Sequence, residues 1–578
     1  MHGLLHGGIG GTDVLQILYH GLSIDMSVSG YLTVIPFLFL IASVWMPVKP
    51  LVKIFDIYFG IMLSVIAIVT IIDNILYFHW GFHPDTTILL YIRDIRAAFA
   101  GVSAKEWIFG ILTATLLALL FYAGYAVTIR KLLFRLGAPP NKWVICPVWL
   151  LLAGALFLSI RGGVTVSTMN IGRAYFSNRM LLNHAAINPI FNFIYSLSKF
   201  DDFARQYQFY EKDEAVQVFN QLNAWPENTP PLQLLRTGRP NILLFLLESF
   251  SYDVAMDSVV APNMSRFAAE GVLFKNFFAN GFRTDRGIVS VLSGYPSHPT
   301  AAILKYPKKT ETLPSIPKSL RQAGYTNRSL YYGGDIDFAN MRSFFVGACD
   351  IQDIISDKNF PVRERLTKWG VPDSPLFERI YRDLTETGQT EPFLKLALTL
   401  SSHEPFDVPI DKFDVPYLNS VNYTDACIGK FVADLKATAL WDNTLIILIA
   451  DHAMQGYPQG FDVCDEVRFK IPMIWIGGAV KHPAVISDYG SQNDLAATLL
   501  SQLRIDRADF RFSKDMLHPQ TRKFSFYSYV NGFCMMDSLN GYLYDNDRQK
   551  VLLQKGDPNM EKQAKSFFQM MYLDLGNR

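Results

Sequence analysis

The stretch NILLFLLES, residues 241–249, decides the fold. It is an unbroken apolar run that ends in an acid, Glu248. A run of this kind is the pattern of a strand buried on both faces, as in parallel sheets covered by helices. Comparable runs follow at 272–278, 327–332, 393–400, 444–450 and 471–476, with helix-like segments between them. That alternation predicts an α/β domain with a central, mostly parallel sheet. In such sheets ligands gather at the carboxyl ends of the strands, so the polar residues that close the runs form a candidate site. The first run closes on Glu248 and the fifth on Asp451-His452. The fourth closes on Ser401-Ser402-His403-Glu404. The second leads into NGFRTDRG, residues 280–287, and then an apolar helical run at 288–292. Thr284 is thereby placed near a helix N-terminus, where free N–H groups and the helix dipole favour an anion.

A threonine hydroxyl is a poor nucleophile until a base or a metal lowers its pKa. Glu248, Asp451 and His452 supply two hard oxygens and one imidazole nitrogen, and Thr284 adds a fourth donor. This set suits one divalent ion, Mn²⁺ first, with Zn²⁺ and Mg²⁺ as competitors. Such an ion would activate the threonine oxygen and polarise a phosphoryl group under attack. Each residue alone has a plainer reading: Glu248 as a capping acid, Thr284 as an N-cap, His403 as a loop residue. Their joint placement at successive strand ends favours the metal, because buried carboxylates need a partner and a cation provides one.

The remaining composition divides the chain. At 578 residues at least two structural units are expected. Hydrophobic residues make up 50% and charged residues 18%, and the apolar excess sits in the first third. Four segments read as an all-α transmembrane bundle: 31–45, 54–77, 107–127 and 144–160. The first and fourth are short, with a re-entrant or buried helix as their alternative. His2, His6 and His20 lack a ligand spacing. Lys49 and Lys53, and then Arg130, Lys131, Arg135 and Lys142, mark two short basic connections. The loop between them carries Arg93, Arg96 and Lys105 more diffusely. With the short basic connections inside, everything after Arg161 lies outside the cytoplasm. Residues 162–239 read as a juxtamembrane helical linker, broken by the proline-rich run 226–231, and 240–578 as the extracytoplasmic catalytic domain. A net charge of +1 argues against a nucleic-acid partner. Cys146, Cys349, Cys427, Cys464 and Cys534 form no CxxC pair; one bridge among the last four stays open.

From residue 241 to the mid-500s the chain resembles the alkaline phosphatase/sulfatase superfamily, and within it the lipoteichoic acid synthase group of membrane phosphoglycerol transferases. NILLFLLES, FRTDRG, TLSSHEPF and LIADHA carry the resemblance. It implies a multi-pass protein of a bacterial plasma membrane with an outward-facing catalytic domain. The group has five spans against the four read here, so the sequence is expected to begin downstream of a first helix. The resemblance further implies that Glu248, Thr284, Asp451 and His452 hold one Mn²⁺-like ion, that Thr284 forms a covalent phospho-enzyme, and that His403 faces the phosphoryl group. Residues 332–342 align with the head-group pocket, with Asp335 and Arg342 matching an Asp and an Arg there. Gly333 and Asn340 depart from the family's His and Trp, which puts the phosphoglycerol head group in doubt. Trp369 and Asp373, in KWGVPDS, either rebuild part of that pocket or serve packing and a turn.

The reading is therefore a phosphotransferase that takes its group from a membrane lipid donor, phosphatidylglycerol or phosphatidylethanolamine, and passes it to a glycan or lipid acceptor. Thr284-Asp285-Arg286-Gly287 lacks the C/S-x-P-x-R pattern of formylglycine sulfatases. Phosphoethanolamine transfer and hydrolysis of a phosphate or sulfuric ester are the alternatives. A non-catalytic membrane sensor would be expected to have lost one of the four metal residues, and none is missing.

Overall fold

The computed structural model describes residues 9–45, 47–80, 83, 104–135, 143, 145–177, 179–197, 202–224, 229–386, 389–530 and 532–578. The chain divides into two compact units, 1–201 and 202–578.

The first unit is helical: α1 (Gly11–Ala42), α2 (Val48–Trp80), α3 (Ala104–Val127) and α4 (Cys146–Arg161) are its long elements. Three segments, Gly11–Ala42, Val48–Tyr77 and Lys105–Leu133, are long and apolar enough to cross a membrane, and α4 is shorter. The first helix begins at Gly11 rather than at residue 31. Asp13, His20 and Asp25 dilute its hydropathy, but they are partnered: Asp25 accepts from Asn188 at 2.7 Å and His20 stacks on Phe176 at 4.5 Å. Small residues let helices approach closely, and Ser27 Oγ donates to the Ile160 carbonyl at 2.8 Å. Between α2 and the end of α3, Asp56 accepts from Tyr125 at 2.8 Å and from Arg130 at 2.9 Å. Charge in an apolar bundle needs a partner of this kind. His2, His6, Arg93, Arg96, Lys142 and residues 226–228 lie outside the described residues.

The second unit is built on an eight-stranded sheet. Its strands are β1 (Asn241–Leu247), β2 (Val272–Phe278), β3 (Asn327–Tyr332), β4 (Asp353–Ile355), β5 (Phe393–Leu398), β6 (Thr444–Ala450), β7 (Met473–Ile476) and β8 (Ala484–Ser491). Their order is β4-β3-β5-β1-β6-β7-β2-β8. The sheet is mostly parallel, and β7 runs antiparallel to both β6 and β2. β1 and β6 are buried along their full length, as unbroken apolar runs require. Their register pairs Leu247 with Ala450, which sets Glu248 and Asp451 side by side just past the last rung.

The apolar run 393–400 stops being a strand at Leu398, and the run 471–476 becomes one only at Met473. A second, antiparallel sheet follows, β9 (Ser525–Tyr529), β10 (Gly532–Met536), β11 (Gly541–Asp545) and β12 (Lys550–Lys555), and then a final helix, Asn559–Asn577. Residues 202–239, read as linker from sequence, place Phe203, Phe219, Leu222 and Leu234 in the core of this second unit. Cys349, Cys427, Cys464 and Cys534, among which the sequence leaves one bridge open, form no disulfide with one another.

Candidate active site

Four chain segments converge at the carboxyl end of β1. Glu248 leaves the strand and is followed by Ser249 at φ 57°, a left-handed conformation that turns the chain sharply for a non-glycine residue. The turn is fixed by hydrogen bonds. Ser249 N donates to Asp451 Oδ1 at 2.9 Å, and Ser249 Oγ donates to Glu248 Oε1 at 2.8 Å. Glu248 N donates to Thr399 Oγ1 at 2.8 Å, and Ser402 Oγ to the Glu248 carbonyl at 2.6 Å. The end of β6 is held as firmly: the Gln492 amide donates to the carbonyls of Ala450 and Asp451 at 2.8 and 2.7 Å. Gln492 was not singled out from sequence, and only its buried position reveals it.

Thr284 opens the helix Thr284–Ser293. Its hydroxyl donates to Glu248 Oε2 at 3.0 Å and lies 3.5 Å from His452 Nε2. The helix can come this close because residue 287 is glycine: a Cβ there would stand 1.9 Å from the Asp451 carbonyl oxygen. Ligand atoms of Glu248, Asp451 and His452 all fall within 4.8 Å of one another, and the three residues are 5%, 2% and 8% exposed.

The electrostatics of this cluster are those of a site shaped for a cation. Burial and the neighbouring Glu248 carboxylate push Asp451 up to about 7. Burial works against a charged His452, yet Asp451 and Glu248 raise it to about 10. Burial likewise disfavours a charged Glu248, but the hydrogen bond and charge of His452 bring it down to about 2. Asp451 Oδ2 is buried without a hydrogen-bond partner; an orphaned buried acceptor costs about 1–3 kcal/mol, and a charged one more. His452 Nδ1 donates to the Ala453 carbonyl at 2.9 Å, so Nε2, which faces Thr284 and Glu248, is the nitrogen that would give up its proton to a cation, the tautomer a metal-binding histidine needs. The residues fit a divalent ion with a mixed oxygen and nitrogen preference.

The other residues singled out from sequence lie around this centre on loops. His403 follows β5 and contributes to the low pKa of Glu248. Trp369 stands against it, ring centroids 4.3 Å apart. Asp335 is buried, and its Oδ1 accepts from Asp337 N at 3.0 Å. Arg342 Nε donates to Asp337 Oδ1, and Lys358 Nζ to Asp337 Oδ2 at 3.2 Å. Asp337, which no sequence argument picked out, therefore anchors the one guanidinium assigned to phosphate. Asn340 is buried at φ 65°, beside Ala339 at φ 51°. Gly333 faces residues 370–371: a Cβ on it would stand 2.2 Å from the Val371 carbonyl oxygen, and one on Gly370 2.2 Å from the Gly333 carbonyl oxygen. The space a side chain at 333 would enter is thus filled by backbone.

Residues 240–505 match the family model described as Sulfatase. Over 308 residues the chain is 27% identical to lipoteichoic acid synthase 2 of Bacillus subtilis, covering 48% of this chain and 46% of that protein. Over 375 residues it is 25% identical to phosphoglycerol transferase I of Xanthomonas campestris, covering 58% and 49%. The chain spans about half the length of the curated relatives it matches. A crystal structure of an alkaline phosphatase superfamily protein from Vibrio parahaemolyticus superposes with a TM-score of 0.56 at 25% identity, covering 65% of this chain and 98% of that one. The chain carries a sulfatase-family domain with the alkaline phosphatase superfamily fold.

Proposed function

We propose that the chain is a membrane-anchored, metal-dependent phosphotransferase that moves phosphoglycerol, or a related head group, from a phospholipid to an envelope glycan or lipid. The observation that carries this reading is the Thr284 hydroxyl, 3.0 Å from Glu248 Oε2 at a helix N-terminus, in a cluster where the buried Asp451 Oδ2 has no hydrogen-bond partner. The names of the relatives support a phosphoglycerol donor.

Glu248, Asp451, His452 and Thr284 would hold the ion, which when bound supplies Lewis acidity to the threonine oxygen and the phosphoryl group. Thr284 Oγ1 attacks phosphorus, its proton passing to Glu248, and the bond to the diacylglycerol oxygen breaks. His403, protonated on both nitrogens, gives a proton to that leaving oxygen. In the second half the acceptor hydroxyl attacks the phosphothreonine, His403 takes its proton, and the bond to Thr284 Oγ1 breaks as that oxygen recovers the proton held on Glu248. The first helix turn offers backbone N–H groups to the phosphate oxygens. Arg342, held by Asp337, presents the rest of its planar fork to the head-group phosphate.

Purified protein incubated with Mn²⁺ and labelled phosphatidylglycerol is expected to release diacylglycerol. A parallel incubation with labelled phosphatidylethanolamine separates phosphoglycerol from phosphoethanolamine transfer. Label appearing in free glycerol phosphate rather than in an acceptor would mark hydrolysis. Absence of diacylglycerol from both lipids would overturn the lipid-transferase reading.

A further inference from the structure

Residues 367–373, TKWGVPD, form a strap across the loop that bears His403. The strap is a tight turn: Thr367 N donates to the Gly370 carbonyl at 3.0 Å and Gly370 N to the Thr367 carbonyl at 3.2 Å. It is seated on the end of β3 by Val371 N donating to the Gly333 carbonyl at 2.9 Å. Its last residue, Asp373, is fully buried and grips the loop after β5. Asp373 Oδ1 accepts from Leu400 N at 2.7 Å, and Oδ2 from Ser401 N at 3.3 Å and Thr424 Oγ1 at 2.6 Å. Asp373 N donates in return to Ser401 Oγ at 2.9 Å. A carboxylate that accepts three bonds satisfies the loop's backbone and holds it in one place.

The tip of the strap meets His403 itself. The indole of Trp369 lies against the imidazole, and its Nε1 donates to the Glu404 carbonyl at 2.7 Å. His403 Nδ1 lies 2.9 Å from that same oxygen. A carbonyl can only accept, so both nitrogens carry protons. The neutral His403 ring is therefore the Nδ1–H tautomer, with its lone pair on Nε2, the opposite edge of the ring. The second face of the indole is taken up in part by Phe338, centroids 5.8 Å apart at 74°.

We propose that Trp369 is a positioning residue: by packing its ring against His403 at a tilt of 54° and sharing the Glu404 carbonyl, it fixes the tautomer and ring plane that leave Nε2 free to exchange a proton with the reacting oxygens. The proposal rests on the reading of His403 as the proton carrier, but its first measurement needs no substrate. In the full chain labelled with ¹⁵N-histidine, with His403→Gln identifying the resonance, neutral His403 is expected to show the Nδ1–H pattern. In Trp369→Ala that pattern is expected to give way to a mixture of tautomers; Trp369→Leu, which fills the space without a ring or an N–H, serves if the alanine variant fails to fold. Turnover of labelled lipid should fall roughly ten- to hundredfold with KM changed by less than about threefold, as loss of a well-aligned acid–base group requires. An Nε2–H tautomer in the wild type, or an unchanged tautomer in the variants, overturns the proposal. So does a KM that rises while kcat holds, which would make Trp369 a wall of the lipid pocket. A wild type that shows the Nδ1–H tautomer but cleaves no lipid would fail the functional reading and leave the Trp369–His403 geometry standing.

Discussion

The two sides of the site are built differently. On the metal side, Glu248 and Asp451 are the first residues after two buried, parallel, in-register strands, and Thr284 opens a helix that a glycine lets press against Asp451. On the head-group side, residues 333–342 and 367–373 are loops with left-handed residues and facing glycines, joined by a few backbone bonds and the Asp337 ion pairs. The first arrangement follows from the sheet, and moving it would cost core packing. The second can change residue by residue without disturbing the sheet. In the proposed reading the chemistry is thus tied to the fold, and the substrate is left to the loops.

That division is most directly challenged by Thr284→Ala. Glu248, Asp451 and His452 stay in place, so metal binding should persist while turnover falls by ~10³-fold or more, the loss of a nucleophile. Metal content by elemental analysis alongside lipid cleavage checks it; full activity would remove the covalent step. Next in size is Gly287→Ala. The added Cβ has no room beside the Asp451 carbonyl, so helix and strand end must part. The variant should lose both metal and activity, with stability lowered by about 1–3 kcal/mol, as overpacking costs.

Removing the ion by chelation should sharpen the same side. The buried carboxylates are then balanced only by His452 and by protonation, and the melting temperature is expected to fall and recover with added Mn²⁺. In the chelated protein Asp451 and His452, both raised, keep protons that the unfolded chain gives up sooner. Its stability should therefore fall as pH climbs from about 5 to 9. Glu248, held low, opposes this trend only below its unfolded value, where it favours stability at higher pH. A metal-free protein whose melting temperature rises across that range would contradict the charge arrangement described here.

The same contrast explains what could be read from sequence. Strands buried on both faces announce themselves as unbroken apolar runs, and the residue that ends each run is visible in the same glance; hence Glu248, Asp451 and His452. β8, AVISDYGS, is half exposed and β12, KVLLQK, is exposed throughout, so neither carries that signal. β9, β10 and β11 are buried, but SFYSY, GFCMM and GYLYD are five-residue segments mixed with serine, glycine and aspartate and form no unbroken apolar run. The start of α1 at Gly11 was hidden by polar residues whose partners, such as Asn188 for Asp25, lie far along the chain. Asp337 and Gln492 act through contacts that only folding creates. Gly333 reads from sequence as a departure in the head-group pocket, whereas the structure shows backbone filling the space a side chain there would enter.

Gly333→Ala tests that last point on the head-group side. Its Cβ would collide with the Val371 carbonyl, lifting the strap rather than the sheet. Stability should drop by about 1–3 kcal/mol, much as for Gly287→Ala, but metal content should stay at the wild-type level. Thermal unfolding and elemental analysis of the two variants side by side give the comparison. Loss of metal in both would mean that the two sides are one cooperative unit.

The smallest effect is expected from Arg342→Lys. Lysine keeps the charge beside Asp337 but has no planar fork, so it cannot hold Asp337 with one edge and a phosphate with the other. Burial disfavours a charged Asp337, and Arg342 with Lys358 lowers its pKa nonetheless; the lysine variant leaves that balance largely intact and the loop folded. The consequence should appear as a KM for lipid raised by roughly three- to tenfold with kcat little changed, because an interaction made equally in ground and transition states is lost. An equal fall in kcat and kcat/KM would instead place Arg342 on the charge that develops during transfer, and would move it from the changeable side of the site to the fixed one.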